Sequence, residues 1–500
     1  MSHPRVDDLR KQYPTFTYES FSFERLSNRL TIRFLFTIEP NIHFSPETVI
    51  ESADWPTLHS LSDEALERFI FHLGLVEMLS YWKATCAPEI VVRAGFLDVQ
   101  QQAWWTDLLL HGMREFFYVN KIDFRSPDFV RISAPGTDKG KDHLNPLTLP
   151  LSQPGEGTST PSNVAPLPGM EQERTFPYSP ARLQERDLVF VSGGKDSTLA
   201  LQLLREAGMP FDCLLLNPTP AATRVAAQVG NQSQIVVRRT IDPHLLELNK
   251  TGYLNGHTPF SAYLAFLGVT CAFLFGYPRV VAANERSSDE GNVRYLETDV
   301  NHQYSKTLRF ETAFRQYVPT YLTVDVEYFS VLRPLYAIQI SRLFARHPQY
   351  FDSFMSCNRG QWSGAWCQRC AKCLSTFILL YPFAPTTELT RIFGADLFTQ
   401  KELIPLLNEL VGLSQEKPFE CVGTTEEMLV ALFLSVQHAK KLDGLMPVVL
   451  EYVETDILPR TPNLQQHVQP LLLAWSEEHH LPREYAQFLK AHVMADYEAH

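Results

Sequence analysis

The stretch DLVFVSGGKDSTLALQLL, residues 187–204, limits what this chain can fold into more than any other. A short apolar run of strand type passes through a glycine pair into a helical pattern. That is the order of a buried parallel strand, a tight turn and a crossover helix. Such a turn aims backbone N–H groups outward at the helix N-terminus, where orphan donors and the positive dipole end suit a phosphate. Gly193 and Gly194 permit positive φ and close backbone approach, Ser192 and Ser197 offer hydroxyls, and Lys195 adds a positive charge. Asp196 is the odd member, since a carboxylate repels phosphate unless it caps the helix or holds Mg2+. The spacing fits neither G-x-x-x-x-G-K-S/T nor G-x-G-x-x-G.

The surrounding sequence extends this unit into an α/β fold. FDCLLLNP, QIVVRRTI and PRVVAANE follow as strand-like runs, separated by helical patterns near 221–229 and from Phe260. Four strands with crossovers predict a parallel sheet covered by helices on both faces. From Phe16 to Ile50 apolar and polar residues alternate, which predicts antiparallel strands with one wet face. Helical patterns in DEALERFIFHLGLVEMLSYW and QQQAWWTDLLLHGMREFFYVN, with the strand-like EIVVRAGF between them, complete an N-terminal α+β region. Residues 133–180 are rich in Pro, Gly, Ser and Thr and cannot bury enough apolar surface to offset ordering entropy. The expected division is therefore an α+β domain at 1–132, a flexible linker at 133–180, a catalytic α/β domain at 181–385 and a helical region at 386–500. A chain of 500 residues exceeds what one core usually supports.

The net charge of −12 argues against sequence-independent nucleic-acid binding, which needs Lys and Arg to neutralise phosphates. The N-terminus lacks the apolar core of a signal peptide, and the most apolar run, 263–277, is too short to span a bilayer. A cytoplasmic protein with no nucleic-acid or membrane partner is expected. Of eight cysteines, Cys86, Cys213, Cys271 and Cys421 stand isolated, while Cys357, Cys367, Cys370 and Cys373 have metal-ligand spacing. Four thiolates suit Zn2+ or an iron–sulfur cluster, and a full set leaves no open position, so the site reads as structural. The polar run 282–311 follows a buried strand, where open α/β sheets bind ligands. Within it Glu285 and Asp289 are candidate Mg2+ ligands. Glu285, His302, Tyr304 and Lys306 are candidate proton-transfer groups.

Ser192-Gly193-Gly194-Lys195-Asp196-Ser197 resembles the SGGxDS signature of the PP-loop ATP pyrophosphatases, over roughly residues 187–382. The resemblance implies an adenine-nucleotide α-hydrolase-like fold, ATP as cofactor and cleavage between its α and β phosphates, with Asn217 and Pro218 near the adenosine. The cysteine spacing is similar to the zinc site of the 7-cyano-7-deazaguanine synthases, which makes zinc the expected metal. YWKATCAPEIVVRAGFLD, SSDEGNVRYLETDVNHQYSKTLRFE, and SCNRG and WCQRCAKC followed by FAP and RIFG widen the match to both domains. Together they resemble the ATP-dependent UDP-N-acetylmuramoyl-L-alanyl-L-glutamate epimerases of bacterial peptidoglycan synthesis. That resemblance implies an isomerase that uses ATP and Mg2+ to adenylate a carboxylate and invert the terminal glutamate, releasing AMP and pyrophosphate. Arg286, Arg294, Lys306, Arg309, Arg359 and Arg369 would then be candidates for contacts to the substrate's diphosphate and carboxylates. Rival readings are an amide or nitrile former like the 7-cyano-7-deazaguanine synthases, a tRNA thiolase with an iron–sulfur cluster, and a non-catalytic nucleotide-binding module. Length and the N-terminal region count against the first, and the acidic balance against the second.

Overall fold

The structure, a computed structural model, describes residues 4–52, 61–135, 184–230, 233–442 and 444–498. Its centre is one mixed sheet. The strands are β1 (Thr15–Leu26), β2 (Arg29–Ile38), β3 (Ile42–Phe44), β4 (Glu47–Glu51), β5 (Glu89–Val92), β6 (Arg131–Ser133), β7 (Asp187–Phe190), β8 (Phe211–Leu216), β9 (Gln234–Thr240) and β10 (Arg279–Ala282). A small hairpin, β11 (Val293–Tyr295) and β12 (Thr298–Val300), precedes the last strand, β13 (Glu327–Ser330). The order across the large sheet is β13-β10-β7-β8-β9-β4-β2-β1-β5-β6, with β3 on β2.

The antiparallel strands expected between Phe16 and Ile50 are β1 to β4, joined first by a two-residue turn at Ser27-Asn28. The four expected parallel strands are β7 to β10. The structure adds β13 beside β10, a four-residue strand too short to give a periodic signal. It also adds β6, whose Ser133 had been placed at the start of the linker. Beyond residue 135 that linker lies outside the described residues. The two regions expected as separate domains share the sheet, because β4 pairs antiparallel with β9 from Glu47↔Thr240 to Glu51↔Val236.

Each face of the sheet carries its own core. Leu188, Leu214 and Val280 face the helices Asp63–Glu77 and Phe260–Phe275, together with the aromatic interior of β1 and β2. Their neighbours Val189, Leu215 and Val281 face the other way, toward Lys195–Glu206, Ala337–Ala345 and the C-terminal helices. This is the period-two alternation of a strand buried on both sides. The C-terminal helices are thus the outer layer of one face, with Tyr485 stacked edge-on to Phe329 of β13. No helix among the described residues is long and apolar enough to cross a membrane.

A buried ion pair ties the N-terminal helices to β9. Arg239 donates from Nε to Glu77 at 2.7 Å and from Nη2 to Glu77 and Ser80 at 2.9 Å each, and its guanidinium lies 4.8 Å from the Tyr263 ring. Glu77 is only 1% exposed. Removing one partner strands the other charge away from water. Glu77→Ala is expected to lower stability by about 3–5 kcal/mol, read by denaturant unfolding.

Candidate active site

Five of the strands, in the order β13-β10-β7-β8-β9, are all parallel. The chain runs outward from β7 through β8 to β9, then returns to the other side of β7 for β10 and β13. The direction therefore reverses between β7 and β10, and open α/β sheets bind ligands at the carboxyl ends of the strands flanking such a reversal. Two of the loops singled out in the sequence leave those ends. SGGKDS follows β7 and the polar run follows β10.

The β7 loop is held from three sides. Gly193 has φ +78°, and a Cβ there would lie 2.3 Å from the Ala222 backbone nitrogen, so only glycine fits. Its carbonyl accepts from the Met355 amide at 2.8 Å, and the Lys195 amide donates to Ser356 Oγ at 3.2 Å. Ser192 and Ser197 hydroxyls meet at 3.0 Å. Gly194 is the N-cap of the helix Lys195–Glu206. A Cβ there would make ordinary contacts, 3.5 Å from Ser356 Oγ and 3.6 Å from Ser192 Oγ. Asp196 receives the Lys195 ammonium at 2.5 Å. Burial works against its charge, but Lys195, Lys372 and Lys306 outweigh burial and hold the carboxyl below its usual range. Three lysines from three separate stretches of chain thus converge on the loop.

The β10 loop is ordered by buried polar contacts. Arg333, 1% exposed, donates to the Glu285 carbonyl at 2.9 Å and to the Lys306 carbonyl, closing the two ends of the loop on each other. Ser288 Oγ bridges the same two carbonyls at 2.6 and 3.1 Å. Asn292 Oδ1 accepts from the His302 backbone amide at 3.2 Å and sits 2.9 Å from its Nδ1. That oxygen can only accept, so Nδ1 carries the proton and Nε2 keeps its lone pair. Burial, then His257, Lys306, Lys372 and Lys417, push His302 down to about 2, so the ring stays neutral.

The C-terminal region, which carries no readable chemistry in the sequence, closes over this loop. Lys417 pairs with Glu290 at 2.6 Å, its amide donates to the Asn292 carbonyl at 3.0 Å, and Glu290 also accepts from the Thr425 amide at 3.0 Å. The segment so anchored brings Cys421 to Lys306, whose Nζ lies 3.1 Å from the sulfur. Burial opposes the Lys306 charge, but Cys421, Glu285 and Asp196 more than offset it and raise its pKa. A second tier is shared with the N-terminal region. His257, pushed down to about 4 by burial and by Lys83 and Lys306, lies 3.6 Å from Glu115 and 5.9 Å from the His302 ring. Burial raises Glu115 to about 7 against the pull of Lys83.

The four-cysteine cluster stands directly behind the β7 loop. The sulfurs of Cys357, Cys367, Cys370 and Cys373 all lie within 4.8 Å of one another, with separations of 4.0, 3.7 and 3.5 Å for three of the pairs. Four thiolates at about 2.3 Å from one tetrahedral ion would stand about 3.8 Å apart. The cradle therefore fits a single zinc. A polynuclear iron–sulfur cluster attaches its thiolates to different irons and needs wider spacing. The Gly360 amide points at Cys357 Sγ from 3.1 Å, and Gln368 takes a left-handed φ of +63° between Cys367 and Cys370.

Of the residues singled out in the sequence, Ser192 to Ser197, Glu285, His302 and Lys306 converge. Tyr304 turns toward the N-terminal helices, its hydroxyl donating to Asp107 at 3.0 Å and its ring stacked on His111. Asp289 accepts from the Leu308 amide at 3.0 Å and faces Arg333 at 3.3 Å. Asn217 spends its side chain on both backbone groups of Arg239, at 2.9 Å each. Arg286 lies over the Tyr336 ring, while Arg294, Arg309, Arg359 and Arg369 are exposed. Sequence reasoning missed Arg333, Lys372, Lys417 and Cys421. Lys372, flanked by the last two cysteines, is the only one of these with a nearby motif.

The family model described as the MurL N-terminal domain matches residues 7–151 and 162–331, and the MurL C-terminal domain matches 353–463. Curated relatives include a UDP-N-acetyl-alpha-D-muramoyl-L-alanyl-L-glutamate epimerase of Xanthomonas oryzae pv. oryzae, 29% identical over 95% of this chain and 96% of the relative. Proteins of the same name from a Micromonospora species and from Salinispora tropica are 32% and 33% identical. They cover 85% and 80% of this chain, and 86% and 80% of their own lengths. The chain belongs to the MurL family of isomerases.

Proposed function

We propose that this isomerase inverts the terminal L-glutamate of UDP-N-acetylmuramoyl-L-alanyl-L-glutamate, a peptidoglycan precursor, through an ATP-adenylated carboxylate, and that its parallel half is a PP-loop fold. The observation that carries the reading is the placement of SGGKDS and of the loop that ends at Lys306 at the carboxyl ends of β7 and β10, on either side of the strand-order reversal. A helix N-terminus whose first-turn carboxylate feels the charge of three lysines suits a polyphosphate. The relatives' names supply the substrate.

Adenylation answers a chemical difficulty. Taking an α-proton from a free carboxylate would make a dianionic enolate. Converting the carboxylate to an acyl adenylate removes that charge and acidifies the α-proton. A base then removes the proton, reprotonation occurs on the opposite face, and hydrolysis releases AMP and the D-glutamyl product. Asp196 is the carboxylate that would hold Mg2+ at this loop, where the ion would neutralise the polyphosphate. The four cysteines would hold Zn2+ as a structural ion.

Incubation with ATP and the UDP-linked dipeptide is expected to yield AMP, pyrophosphate and the UDP-linked L-alanyl-D-glutamate in equal amounts. ATP cleavage with no loss of the α-proton to solvent would sink the reading.

A further inference from the structure

Cys421 stands alone in the sequence, 115 residues from Lys306 and 119 from His302, yet the fold sets it between them. Lys306 Nζ lies 3.1 Å from its sulfur and His302 Nε2 lies 4.0 Å away. Cys421 is half-buried, whereas His302 is only 7% exposed. The three groups differ in what they can do. Lys306 is held as the ammonium and has no lone pair to offer. His302 keeps its Nε2 lone pair, but the ring is buried and that nitrogen faces the sulfur. The sulfur is the open member of the three. Lys306 also belongs to the cluster that holds the Asp196 carboxylate down, so Cys421 borders the place where an acyl group is activated.

We propose that Cys421 is the catalytic base that takes the α-proton, with Lys306 and His302 as its positioning partners. This rests on the ATP-dependent reading above. The α C–H bond breaks, its electron pair moves into the adjacent acyl carbonyl as an enolate, and the proton goes to the Cys421 thiolate. A water molecule donates a proton to the opposite face of the carbon. The hydroxide left behind is neutralised by the proton that the half-buried Cys421 returns to solvent, which restores the thiolate. The product therefore carries one solvent-derived hydrogen at its α-carbon.

The test uses the full-length protein with ATP and the UDP-linked dipeptide in D2O. It follows first-turnover pyrophosphate release, which precedes proton abstraction, and α-deuterium incorporation separately. Cys421→Ser is expected to lower deuterium incorporation by about 10^2–10^4-fold while the first turnover of pyrophosphate release is kept. In a second arm, iodoacetamide labelling mapped by peptide is expected to modify Cys421 in the wild type well ahead of Cys86, and more slowly in Lys306→Met. A C421S enzyme that exchanges the α-proton within tenfold of wild type, or loses first-turnover pyrophosphate release in step with exchange, overturns the assignment. So does a Cys421 that alkylates no faster than Cys86. A wild-type protein that neither releases AMP nor exchanges the proton defeats the ATP-dependent reading instead, and the labelling arm then decides on Cys421 alone.

Discussion

Asp196→Ala is expected to lower turnover by at least about 10^3-fold, some 4 kcal/mol of transition-state stabilisation, with the fold intact. The carboxylate sits in the first turn of the helix Lys195–Glu206, among Lys195, Lys306 and Lys372. Those lysines keep it ionised against burial, an arrangement suited to holding a divalent cation against a polyphosphate. Alanine removes the negative charge and leaves the lysines, so anion affinity should survive or rise while the rate collapses. Steady-state AMP release and pyrophosphate binding, measured side by side, separate the two effects. Turnover within tenfold of wild type would mean that Asp196 serves only to balance the lysines.

Loss of the four-cysteine site should reach just as far. Cys370→Ser is expected to abolish stoichiometric zinc, lower the melting temperature markedly and weaken ATP binding together. Ligand-bound structural zinc contributes several kcal/mol or more to folding. The route to the β7 loop is short. Met355 and Ser356, which bond the backbone of Gly193 and Lys195, immediately precede Cys357. Lys372, whose charge reaches Asp196, lies between Cys370 and Cys373 at the start of the helix Ala371–Leu380. Metal analysis, thermal melting and ATP titration check all three outcomes. A C370S protein with unchanged melting and ATP affinity would make the cluster a set of ordinary buried thiols. A wild-type protein that carries iron instead would overturn the zinc assignment.

Much of the site was legible because its signals are local. SGGKDS needs only the strand before it and the helix after it, and both follow from side-chain periodicity over a dozen residues. Three of the four cysteines lie within seven residues, so a shared ion follows from spacing alone. The continuity of the sheet was not legible. β4 and β9 carry ordinary strand patterns, and nothing in either names the other as its partner. Their pairing, with Glu77 and Arg239 locked behind it, turns the two regions expected as separate domains into one sheet.

The division falls along sequence separation. The sequence by itself determined which segments are strands and helices, where the phosphate-type loop lies and which cysteines cluster, because each depends on residues a few positions apart. The tertiary structure alone decided that Arg333 closes the β10 loop, that three lysines surround Asp196 and that Cys421 lies between Lys306 and His302. The last of these depends on where the C-terminal layer docks, through Lys417 on Glu290 and apolar packing on the far face of the sheet. A side chain's chemistry is written at its position, but its neighbours across a hundred residues are set by the packing of whole layers.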